Sequence, residues 1–225
     1  YSFSVSSPQR LKRVAENGTL FDNQNNVNSL HGNQVSFLRE VSNTTFRYAS
    51  VINDAYENSN EFDAYTNDNF DLQMSLVSRF IKGGLGTKVY MVTLGGFDTH
   101  AQQVIANATD TGAHARLLQR VSEGIKAFMD DLNFLNAHKR VIGMTFSEFG
   151  RRIKSNSSGG TDHGAAAPLF VFGHYAQNDV LGTSPEIPLV TSATANVPMQ
   201  YDFRSVYSSL LKQWFCVPDT TLDNV

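Results

Sequence analysis

The sequence predicts an α/β domain, a mainly parallel sheet flanked by helices, and two observations carry that expectation. Apolar runs rich in β-formers, Lys88–Leu94, Arg140–Phe146 and Pro168–Gly173, alternate with segments of helical periodicity. The runs also border polar clusters punctuated by glycine, which suits loops at the ends of buried strands.

Each element follows from local chemistry. Pro8 to Asn17 reads as a short helix stopped by Gly18. From Ser29 to Asn58, Val35, Leu38, Val41, Phe46, Tyr48, Val51, Ile52 and Tyr56 keep helical spacing, giving one long helix or two joined ones. Asp68 to Lys82 is amphipathic through Phe70, Met74, Val77 and Ile81, and Gly83-Gly84 stops it. It leads into the strand Lys88–Leu94. Leu117, Leu118, Val121, Ile125, Phe128, Met129, Leu132 and Leu135 mark a helix from Gly112 to Asn136, so strand, helix and the next strand form a right-handed crossover of a parallel sheet. Phe203 to Trp214 gives a last helix with Asp202 as N-cap.

The chemistry-bearing residues lie beside the predicted strands. Leu94-Gly95-Gly96-Phe97-Asp98-Thr99-His100 places a carboxylate and an imidazole directly after a glycine pair. Ser147-Glu148-Phe149-Gly150-Arg151-Arg152 follows the second strand, and Gly159-Gly160-Thr161-Asp162-His163-Gly164 precedes the third. If the connection from Ser147 to Pro168 doubles back over the sheet edge, the clusters converge. Asp98, His100, Glu148, Asp162 and His163 would then form a mixed oxygen and nitrogen donor set for a divalent metal. Zinc suits it best, with manganese or calcium as alternatives; calcium fits less well because it prefers oxygen alone. A ligating histidine usually donates its other ring nitrogen to an acid, so some of these carboxylates could orient ligands instead. Arg151 and Arg152 open a Gly/Ser-rich stretch and either bind an anionic substrate or pair with Glu148 or Asp162. His114 opens the helix after the Asp98 loop, where it either overhangs the site or caps the surface. The hydroxyls inside the clusters, Thr99 and Ser147, fit hydrogen bonding better than nucleophilic attack.

GGFDTH, TFSEFGRR and GTDHGAAAPLFVFG, in that order, resemble the bacterial family known as domain of unknown function fifteen hundred and one, a branch of the alkaline phosphatase and sulfatase superfamily. The resemblance runs from about Asn28 to Trp214. It implies an alkaline-phosphatase-like sheet, of which this chain would hold part. It also implies one metal on Asp98, His100 and His163, and a second on acids that include Glu148. Phe149 stands where that superfamily usually carries a second ligand, and Asp162 is the candidate replacement. The superfamily's first metal-binding Asp and its nucleophilic Ser or Thr lie on earlier strands that nothing here matches. The chain is therefore expected to be one α/β domain forming the C-terminal portion of a longer one, with residues 1–27 variable or loosely ordered, the nucleophile absent, and the upstream polypeptide as a partner.

Composition narrows the classes further. With 225 residues and 41% apolar content the chain can bury a core. A net charge of −3 gives no electrostatic case for nucleic acid or anionic membranes. No apolar run approaches the length of a transmembrane span, and Cys216 has no second cysteine to pair with. Abundant Asn, Ser and Thr with few Lys, together with the resemblance, point to an exported protein: periplasmic, cell-surface or secreted. The functional expectation is a metal-dependent hydrolase of phosphate or sulfate esters. The rival is a non-catalytic exported protein that binds a metal or a glycan.

Overall fold

The computed structural model describes residues 4–22, 29–106, 108–177 and 179–222. It comprises α1 (Pro8–Asn17), α2 (Leu30–Glu57), α3 (Asn69–Lys82), α4 (Ala113–Phe134), a 3-10 turn (His138–Arg140), β1 (Ile142–Met144), β2 (Gly150–Ser155), β3 (Thr161–Gly164), β4 (Val171–Gly173), α5 (Phe203–Gln213) and α6 (Asp219–Leu222). Of the N-terminal segment 1–27 expected to be loosely ordered, residues 1–3 and 23–27 lie outside the described residues, and α1 occupies its middle.

The helices follow their caps. The Ser7 hydroxyl accepts from the Arg10 amide to start α1, and Ser29 does the same for Gly32 in α2, which is one continuous helix. The Asp68 carboxylate caps α3 through the Phe70 amide at 2.9 Å, and Gly83 ends it. Asp202 caps α5 through Arg204 at 2.9 Å. Among the described residues, no helix is long and apolar enough to cross a membrane.

The chain divides into two compact units, Tyr1–Gly95 with Gln119–Val141, and Gly96–Leu118 with Ile142–Val225. The first is helical. Its core is Ala49, Ile52 and Ala55 of α2, Phe70, Met74 and Phe80 of α3, and Ala127, Phe128 and Leu132 of α4. The face of α3 that turns inward also carries Asp71, Ser75 and Ser78, all buried. Ser78 and Lys82 of α3 meet the buried Asp131 of α4, where the Asp131 carboxylate accepts from the Ser78 hydroxyl at 2.5 Å, from the Tyr65 phenol at 3.1 Å and from the Lys82 ammonium at 3.0 Å. Burial and the Asp131 charge push the Tyr65 phenol far above its ordinary range. Gly124 permits the approach of α4, since a Cβ there would lie 2.7 Å from the Phe70 ring and 2.8 Å from the Asp71 carboxylate.

The mainly parallel sheet predicted from the apolar runs is not what forms. The described strands make two antiparallel two-stranded sheets, β1 with β4 and β2 with β3, both in the second unit, so there is no parallel crossover for α4 to make. The run Lys88–Leu94 has the side-chain alternation of a strand, with Tyr90, Val92 and Leu94 partly covered and Val89 and Met91 exposed. No described strand pairs with it. Instead the carboxamide of Gln73 on α3 accepts from the Thr93 amide at 2.9 Å and donates to the Thr93 carbonyl at 2.9 Å, supplying at one residue what a neighbouring strand would have supplied. Of the other two runs, Ile142–Met144 and Val171–Gly173 pair with each other, and Thr145 and Phe170 extend the contact by one more pair of bonds. The Gly/Ser-rich stretch after Arg151 is ordered as the β2–β3 hairpin. Its register runs Gly150 with Gly164 and Arg151 with His163, then shifts at a bulge before Ser155 meets Thr161.

Candidate metal centre

The second unit brings the first and third polar clusters together. Segment 98–103 lies along the hairpin tip: Ala101 bridges to Gly159, the Gln102 amide donates to the Ser158 carbonyl at 3.1 Å, and the Thr161 amide donates to the Thr99 carbonyl at 3.3 Å. Gly160 is demanded by this closeness, because a Cβ there would fall within 2.4 Å of the His100 and Thr99 backbone. The hairpin thereby sets Asp162 and His163 beside Asp98 and His100.

Donor atoms of Asp98, His100 and His163 all lie within 4.8 Å of one another. His163 Nε2 is 2.7 Å and His100 Nε2 is 3.0 Å from the same Asp98 oxygen, and the two imidazole rings are 4.9 Å apart. The other ring nitrogen of His100, Nδ1, stands 3.2 Å from an Asp162 oxygen. Each of these side chains is about half exposed, so the group opens to solvent. The hydrogen bond from His163 holds the Asp98 carboxyl below the usual carboxylate range, with the charges of His100 and Arg151 adding to it. Asn156 first, then His100, lowers Asp162 in the same way. Two imidazoles and a carboxylate with an open side are chemically suited to a cation with a free coordination position. Asp162 on the far nitrogen of His100 occupies the place of an acid that orients a ligating imidazole.

The second cluster is placed differently. Glu148 is exposed and makes no hydrogen bond or ion pair with the described residues. Phe149, beside it, stacks on His163 with ring centres 4.0 Å apart and planes 7° from parallel. Arg151 turns inward. Its guanidinium donates to the Thr161 carbonyl at 2.7 Å and to the Phe97 carbonyl, and lies 3.3 Å from Asp98 and over the Phe149 ring. These bonds tie together the backbones that precede Asp98 and Asp162, so Arg151 braces the loop. Arg152 donates to the His163 and Ala193 carbonyls, with Asp162 at 3.7 Å, and keeps about a third of its side chain exposed at the cluster's edge. The hydroxyls are engaged: Thr99, itself buried, donates to the Gln103 side-chain oxygen at 3.2 Å, with the Phe97 carbonyl at 3.4 Å the alternative acceptor, and Ser147 donates to the Phe149 carbonyl at 3.0 Å. His114 is half-buried, edge-on to Phe97 at 6.0 Å, and burial lowers its pKa.

A family model described as "Protein of unknown function (DUF1501)" matches residues 17–224. The chain belongs to that family. Neither the curated proteins nor the solved structures yield a match. The match takes in every residue of the cluster, from Asp98 to His163.

Two residues that sequence reasoning passed over hold this family member's cluster together. The Asn156 carboxamide donates to the His100 carbonyl at 2.9 Å and to Asp162 at 3.2 Å, while its oxygen accepts from the Ser158 and Gly160 amides. The Gln103 side-chain oxygen accepts from the hydroxyls of Thr99 at 3.2 Å and Thr161 at 2.7 Å. An Asn four residues before a Gly-Thr-Asp-His run was the one available signal, as a turn former at the mouth of a hairpin. Gln103 had none.

Proposed function

We propose that Asp98, His100 and His163 hold one divalent cation, zinc in the first place, and that the protein is a metal-dependent hydrolase of phosphate or sulfate esters with a functional kinship to the alkaline phosphatase and sulfatase superfamily. The observation that carries this reading is the convergence of three donor atoms within 4.8 Å from segments more than sixty residues apart in sequence. Two nitrogens and one carboxylate oxygen favour zinc over calcium, and manganese remains the nearer alternative. A cation held there supplies Lewis-acid polarisation of an ester oxygen and neutralises charge that develops during cleavage. Asp98 and His163 contribute donor atoms, His100 contributes Nε2 while Asp162 fixes its ring through Nδ1, and Arg152, about a third exposed at the cluster's edge, offers a guanidinium to an anionic group. Arg151 has its donors committed to backbone carbonyls and acts as a brace.

One observation favours the second reading, a non-catalytic exported protein that binds a metal or a glycan. Phe149 stacks on His163 where a further ligand would be needed, and Glu148 stands apart, so the described residues offer a donor set for one cation and none for a second.

Metal analysis of the purified protein after zinc loading and dialysis tests the centre. Retained zinc is expected in the native sequence and its loss in His100→Ala and His163→Ala; equal retention in both variants would remove the site. Turnover of aryl phosphate or aryl sulfate with zinc or manganese, absent from His163→Ala, supports the hydrolase. Zinc retention without turnover of either ester supports the second reading.

A further inference from the structure

Gln103 lies beneath the cluster and touches none of its donor atoms, yet its carboxamide oxygen is shared by two hydroxyls that sit next to them. Thr99 stands between Asp98 and His100, and Thr161 immediately precedes Asp162 and His163. Thr99 is buried while Asp98 and His100, on either side of it, are exposed. The Thr99 and Thr161 hydroxyls reach the Gln103 oxygen at 3.2 and 2.7 Å.

The support under that oxygen is itself fixed. The Gln103 amide donates to the Gly159 carbonyl at 2.9 Å, and the Gln103 carbonyl accepts from the His114 amide at 3.2 Å. Gln102, just before it, turns the chain with a φ of 50°, in the left-handed region. Both backbone groups of Gln103 are therefore committed, and its side chain leaves from an anchored position. A second bond between the same two segments, Thr161 amide to Thr99 carbonyl at 3.3 Å, is long. Arg151 spans the same two segments from the preceding strand through the Thr161 and Phe97 carbonyls. Gln103 is the group that grips the two threonine side chains at once.

We infer that Gln103 is a positioning residue that sets the separation between the Asp98–His100 pair and the Asp162–His163 pair by accepting hydrogen bonds from Thr99 and Thr161. This rests on the proposed cation site only for its consequence, tighter binding of a metal; the clamp itself is a property of the protein. Loss of a group that orients ligands from outside the coordination shell typically weakens a metal site by about 10- to 100-fold.

The test compares the native chain with Gln103→Leu and Gln103→Glu by zinc titration calorimetry and by hydrogen exchange at the Thr161 amide. Leu fills similar space but accepts nothing, whereas a carboxylate accepts the same two hydroxyl protons. Gln103→Leu is expected to weaken zinc binding by about 10- to 100-fold and to speed exchange at Thr161. Gln103→Glu is expected to restore both. Unchanged exchange at Thr161 in Gln103→Leu, or native zinc affinity in that variant, overturns the inference. If the native chain binds no zinc, the cation reading fails, and faster exchange in Leu but not Glu still upholds the clamp. Should Gln103→Leu not fold, Thr161→Val removes one hydroxyl at nearly constant volume, and native exchange and affinity in it would overturn the inference equally.

Discussion

Asp131→Ala is the sharpest test of how the helical unit is held. The Asp131 side chain is 1% exposed and its partner Lys82 7% exposed, so truncation leaves an ammonium sealed from water. Breaking a buried pair from one side typically costs about 3 to 5 kcal/mol. The Asn60 carbonyl, 2.9 Å from the Lys82 ammonium, stays in place and argues for the lower end. The hydroxyls of Ser78, fully buried, and Tyr65 lose their acceptor as well, each a penalty of about 1 to 3 kcal/mol if unrelieved. These terms overlap because one cavity serves all three donors, so we expect about 3 to 5 kcal/mol in total. With a urea slope of about 1 to 3 kcal/mol/M, the midpoint should fall by at least about 1 M. Asp131→Asn keeps an acceptor oxygen for the hydroxyls and should cost less than Ala. Lys82→Met combined with Asp131→Leu should recover much of the loss, since neither charge is then left alone. Urea unfolding followed by far-ultraviolet circular dichroism reads all of these. A loss below about 1 kcal/mol for Asp131→Ala would mean that the carboxylate network is incidental to the unit's stability.

Other outcomes can be stated more briefly. Gly124→Ala, which in an exposed helix would gain about 1 kcal/mol, should instead lower the melting temperature, because the new methyl meets Phe70 and Asp71 and overpacking costs about 1 to 3 kcal/mol; a raised melting temperature would refute the close approach. The Asp202 carboxyl, depressed to about 2 chiefly by its bond from Arg204, should titrate there in a carbon-detected NMR series. Because its folded pKa lies below the ordinary value of about 3.9, the α5 cap gives its stabilisation above that value and loses it as pH falls through about 2; titration near 4 would show that the cap is not formed.

The helices were legible because their signals are local. Ser29, Asp68, Asp202 and Gly83 stand where caps must stand, and each takes that role in the structure. The buried side of α3 was legible only in part. Phe70 and Met74 follow from the periodicity, Val77 and Ile81 on the same stripe are only partly covered, and Ser78 is buried because Asp131 meets it fifty-three residues later. The sheet failed for a related reason. An apolar run such as Val89–Leu94 shows that the backbone will be extended, and nothing within it states which neighbour will take its hydrogen bonds. Here Gln73 takes those of Thr93, and β1 and β4 find each other antiparallel.

The same distinction between local and distant information explains the candidate metal centre. Asp98, His100 and His163 were visible as residue types beside glycines, and their meeting needed no parallel sheet: the β2–β3 hairpin alone carries His163 back to the Asp98 loop. Glu148 precedes the hairpin by two residues and stays outside, while Phe149, next to it, turns its ring onto His163. The meeting of Asp98, His100, Asp162 and His163 is thus the work of a hairpin and not of the strand ends from which it was argued. The side chains that bond the segments around the cluster, Gln103, Asn156 and Arg151, are ordinary polar groups whose partners lie across the hairpin or in the facing loop. Their roles exist only once that hairpin has closed on residues 98–103, which is why no spacing rule could have named them.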